Sequence, residues 1–108
     1  MANIDNILKS IEDQTKSLAE RLFKQYTQQA LSDMKGFLQK TKDDLGRWAS
    51  ELAQNKIDAD EFKSLVEGEL DVAEMRALKQ AGLAQVQIDT FTSGVLDIIV
   101  TAAVAAIP

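Results

Sequence analysis

Seven of the seventeen carboxylates in this 108-residue chain fall between positions 58 and 74. Clustered acids are the residue type from which a divalent-metal site or a general acid–base pair is built. The partners such chemistry usually recruits are missing. The chain has no histidine, which removes the commonest general base near neutral pH and the commonest transition-metal ligand. It has no cysteine, which removes thiolate nucleophiles, disulfides and sulfur-ligated metal. A ferritin-like carboxylate centre needs Glu-x-x-His pairs and is excluded on the same ground. The five glycines are scattered, so no phosphate-cradling loop is present. The expectation is therefore a chain with no catalytic residues, no cofactor, no metal and no small-molecule substrate.

The acids have a simpler use, in helix caps. In Ile57-Asp58-Ala59-Asp60-Glu61-Phe62 the order is apolar, cap, x, x, Glu, apolar. Asp58 is placed to accept a backbone N–H of the helix that follows, and Glu61 to reach back to the N–H of the cap itself. Ile57 and Phe62 form the flanking hydrophobic staple. The same grammar recurs in Leu70-Asp71-Val72-Ala73-Glu74-Met75, with Asp71 and Glu74 in the two capping roles. Two short helices are predicted, about 59–68 and 72–81, ended by Gly68 and Gly82. Residues 56–62 also resemble the exit half of an EF-hand calcium loop. That alignment puts Ser50, Leu52 and Gln54 at the first three ligand positions, and leucine has no oxygen to give. The resemblance fails at the ligands, and capping accounts for the same residues.

The elements that position these caps lie on either side. Ile4, Leu8, Ile11, Thr15, Leu18 and Leu22 step by 4 and 3, a heptad seam. From Phe23 the seam passes through Tyr26, Ala30, Met34, Phe37, Thr41, Leu45, Trp48 and Leu52, at an eleven-residue repeat. No proline interrupts this run, and Asn3 is a plausible first cap. One helix over about 4–54 is predicted, roughly 75 Å long, with Gly36 and Gly46 its weak points. The eleven-residue spacing of Tyr26, Phe37 and Trp48 is read as packing rather than as a ligand groove.

From Leu83 onward there is no Lys or Arg. Ala84, Ile88, Phe91, Val95, Ile98, Ala102 and Ala105 form another heptad seam, and Thr90, Ser93, Asp97 and Thr101 a narrow polar stripe. A closing helix over about 84–106 is predicted, apolar around most of its circumference. The competing reading is a hairpin: Gln85 to Ile88 alternates, and 95–100 is rich in β-branched residues. An isolated hairpin is marginal without further sheet.

The fold class expected is all-α: a long N-terminal helix, two short capped helices and an apolar C-terminal helix, in one elongated hairpin or bundle. Residues 1–54 balance eight basic against eight acidic side chains, while 55–108 hold four against nine. No basic patch exists, which argues against nucleic acid as a partner. The N-terminus has neither a basic nor an apolar leader pattern, and a cytoplasmic location is expected. A long helix and an apolar closing helix leave more apolar surface than one copy hides. Self-association is thus expected through Ile4, Leu8, Ile11, Leu18 and Leu22 and through Val95, Ile98, Ile99 and Ala102. The role would be that of a self-assembling scaffold or adaptor. The alternative is a membrane-active protein whose closing helix inserts, its polar stripe lining a pore, although the low-charge run is shorter than the ~20 residues of a spanning helix.

Overall fold

Five helices, and no strand, make up the described part of the chain, which is residues 4–73 and 75–106 of a computed structural model. They are α1 (Ile4–Leu22), α2 (Thr27–Ala53), α3 (Ala59–Val72), α4 (Arg76–Gln80) and α5 (Gln85–Ala105). The all-α expectation holds, and α5 is one helix rather than a hairpin. Asn3 and Glu74, assigned capping roles from the sequence, lie outside the described residues.

The N-terminal run is helical over both halves of its predicted length but not continuous. It breaks at residues 23–26 and folds back, so that α1 lies antiparallel on α2. Asp5 and Lys42 pair at 3.2 Å, and the side chain of Ile4 lies over Gly46. No glycine or proline marks this corner. Its cause is burial. A 75 Å rod would leave both apolar seams in water, whereas the hairpin closes them on each other and on α5. Two local bonds suit the bend: Phe23 C=O accepts the Tyr26 N–H at 2.7 Å and the Thr27 hydroxyl at 3.2 Å, a competition with regular helix that threonine favours.

The buried stripe of α1 is Ile7, Ile11, Thr15, Leu18 and Ala19. This is the heptad seam rotated slightly, with Ile4 and Leu8 only half-buried and Leu22 exposed. In α2 the eleven-residue seam is the core face: Ala30, Met34, Phe37, Thr41, Leu45, Trp48 and Leu52 are all buried. The two buried threonines differ. The Thr41 hydroxyl donates to Phe37 C=O at 2.7 Å, while the Thr15 hydroxyl has no hydrogen-bond partner among the described residues.

α2 ends where the sequence is most explicit. Asn55 adopts φ 59°, its N–H bonds to Leu52 C=O, and the Lys56 N–H bonds back to Glu51 C=O at 2.9 Å. This is a Schellman ending with asparagine in the left-handed position. α3 then begins with its capping box intact. The Glu61 N–H donates to Asp58 at 2.8 Å, and the Asp58 N–H to Glu61 Oε1 at 3.2 Å.

α3 runs through Gly68 to Val72, because its Phe62, Val66 and Leu70 stripe is buried and continuing the helix seats Leu70. The predicted helix over 72–81 shrinks to α4. Asp71 is an exposed residue inside α3 and not the cap of the next helix. Gly82 does end α4, at φ 92°.

α5 packs on α1 and α3 through Ile88, Phe91, Val95, Ile99 and Ala102. The Phe23 and Phe91 rings meet at 5.4 Å, tilted by 57°. A Cβ added at Gly94 would stand 2.7 Å from Leu18 Cδ2, so glycine is what lets α5 lie close on α1 here. The described residues fill 42 × 22 × 19 Å with a radius of gyration of 13.5 Å, near the ~13 Å of a globular domain of about this length.

Candidate functional site

The fold uses up much of what the sequence offered for assembly. Ile11, Leu18, Val95, Ile99 and Ala102 are buried within the single chain. Ile4, Leu8 and Ile98 are half-buried, and of the nine expected interface residues only Leu22 is exposed. Folding α1 back on α2 supplies inside one copy the partner that a straight helix would have needed from another. The polar stripe of α5, Thr90, Ser93, Asp97 and Thr101, faces solvent.

The acidic stretch does not converge. Among the described residues no three acidic side chains come together at metal-binding distance. Phe37 and Trp48 are buried and Tyr26 half-buried, in keeping with packing. The Arg47 guanidinium lies 6.0 Å from the centre of the Trp48 ring, near the limit for a useful cation–π contact.

What remains are open clefts at the surface. One lies at the α1–α2 corner. Leu22, Tyr26 and Leu83 form its apolar floor, and Arg21 and Lys24 its charged rim. The corner turns the end of α1 outward, which is why Leu22 is left 38% exposed. The first turn of α5 closes the far side through Gln87, whose Oε1 accepts the Ala84 N–H at 2.9 Å. Among the described residues no carboxylate lines this cleft.

A second lies at the start of α3. Ile57 and Leu65 are apolar, and Asp58, Asp60 and Glu61 surround them with negative charge. Leu65 stands off the buried Phe62–Val66–Leu70 stripe and is also 38% exposed. Among the described residues no cation lines this cleft. The capping box holds two of its three acids in place, whereas Asp60 is free of that duty.

A third lies between α2, α3 and α4 and is lined by Asp33, Phe37, Glu69, Val72 and Arg76 among others. Its most telling residue is Asp33. The two oxygens of its carboxylate accept the N–H groups of Ala77 and Leu78, each at 2.9 Å. A side chain from α2 thus caps α4, in the role the sequence assigned to Asp71. No local pattern announces it, because cap and helix are 44 residues apart. The off-stripe Leu65 was open to detection as an apolar residue that the helical period leaves on the outer face. Val72, 76% exposed, and Val86, 74% exposed, belong to the same class.

No family model matches the chain, and no curated protein or solved structure resembles it closely enough to count as a match.

Proposed function

We propose that this chain is a non-enzymatic helical subunit, a structural scaffold or adaptor that associates with further copies of itself. The observation that carries the reading is the set of large apolar side chains left in water once the core is closed: Leu22, Leu65, Val72, Val86 and Val104. Of these, Leu22 and Leu65 each lie in a cleft with a charged rim, the apolar centre and polar margin that association surfaces present. Most of the expected assembly seam is buried or half-buried within one copy, Leu22 excepted, so the contact falls to Leu22 and the other outer residues. Sedimentation or light scattering of the full chain across a concentration series tests this. Mass rising above one chain supports the reading. A single-chain mass throughout, to hundreds of micromolar, retires it.

A second reading has one observation in its favour. α5 is long and apolar enough to cross a membrane, and only 39% of its most apolar window is buried. Its seam is nonetheless docked on α1 and α3, so insertion requires α5 to leave the bundle. Release of a trapped dye from liposomes at neutral and acidic pH is the measurement. Vesicles that stay intact at high protein concentration dispose of it.

A further inference from the structure

We propose that copies of this chain join head to tail, the cleft at the α1–α2 corner of one copy receiving the start of α3 of the next. The inference rests on the self-association reading and names its surfaces. The two clefts are complementary in the two ways that matter. Each centres on a leucine exposed to the same degree, Leu22 at the corner and Leu65 on α3, at 38% apiece. Among the described residues each is rimmed by one sign of charge: Arg21 and Lys24 on the first, Asp58, Asp60 and Glu61 on the second. Arg21 and Lys24 are exposed and form no ion pair among the described residues. The acids of Asp58 and Glu61 are fixed by their reciprocal bonds to backbone N–H groups, so the negative rim needs little ordering when a cation approaches.

The clefts also lie at opposite ends of the molecule. α2 starts at the corner and runs 27 residues to Ala53, about 40 Å at helical rise. The described residues extend 42 Å along their longest axis, and α3 begins just past the far end of α2. A surface that meets a different surface on its neighbour makes a heterologous contact, which repeats into an open chain or closes into a ring. Pairing like with like is disfavoured here, because it would press Arg21 and Lys24 against their own copies, or three carboxylates against three.

The test is cross-complementation with full-length chains, followed by sedimentation velocity, with circular dichroism confirming that each variant keeps its helix content. Leu22→Ser removes the corner surface and Leu65→Ser the α3 surface; both positions are exposed enough to tolerate the change. Each variant alone should associate about tenfold more weakly than the natural chain. Mixed in equal amounts, they should form a one-to-one pair and stop, since one intact corner meets one intact α3 start. Arg21→Glu with Lys24→Glu should behave as Leu22→Ser does and regain association when mixed with Asp60→Lys. If either leucine variant alone keeps the mass of the natural chain, or the mixture stays at single-chain mass while the natural chain associates, the head-to-tail contact is overturned and self-association stands. If the natural chain itself stays at single-chain mass, both fall.

Discussion

The chain turns twice through a full reversal in its first sixty residues, and the two corners are built from different materials. At residues 54–58 the bend is made by local chemistry: left-handed Asn55, the Lys56 N–H returned to Glu51, and the Asp58–Glu61 box. At residues 23–26 there is no glycine, no proline and no side-chain cap on α2. What fixes that corner is Phe23, 5% exposed, with its ring against Phe91 of α5. One corner is specified by its neighbours in sequence, the other by a residue 68 positions away (91 less 23). Local signals can be read from one chain segment; tertiary ones need the rest of the fold.

This contrast sets an order of expected effects. Phe91→Ala should be the most damaging, at about 3–5 kcal/mol for a fully buried aromatic, with the first corner loosened as well as the core. Thermal unfolding gives the size, and faster amide exchange at Phe23 and Tyr26 shows where it acts. A Phe91→Ala protein that loses stability while those amides stay protected would mean the corner holds itself. Next comes Asp58→Ala, expected to cost about 1 kcal/mol through the lost cap, with Asp58→Ser recovering most of it in denaturant titrations. Asn55→Gly should move the other way, adding up to about 1 kcal/mol, since glycine accepts the left-handed backbone without penalty. Smallest is Thr27→Val, within about 0.5 kcal/mol, despite the hydroxyl bond at this corner. If Thr27→Val proves as costly as Asp58→Ala, the two corners are not different in kind.

The same division explains how much was legible beforehand. The helical seam of α2, the capping box of α3, the ending at Gly82 and the helix α5 are all written in periodicity or in short-range chemistry. The reversal at Phe23 was visible only as a change of step, from heptad to eleven, at the residue where the chain bends. Nothing local breaks the helix there, so a reading of the segment alone carries one helix straight through the change. Once the rod folds, Ile11 and Leu18 pass from expected interface to core. The surfaces argued to remain for assembly, around Leu22 and Leu65, are by-products of the two corners. Asp71 departs from its expected capping role for the opposite reason. Its local pattern fits a cap well, yet α3 continues past it, because the buried stripe ending at Leu70 rewards one more turn.

The Asp33 carboxylate on Ala77 and Leu78 has a consequence for the order in which the molecule assembles. Five residues are far too few to hold a helix in water unaided, since nucleation is not repaid over so short a span. α4 therefore has no independent existence: its first turn forms only when the N-terminal part of α2 is already helical and presents both Asp33 oxygens at 2.9 Å. The amides of Ala77 and Leu78 are, in effect, a clock for the docking of the chain's second half onto its first. In a pulse-labelling refolding experiment they should become protected after the α2 amides and in step with the burial of Leu78.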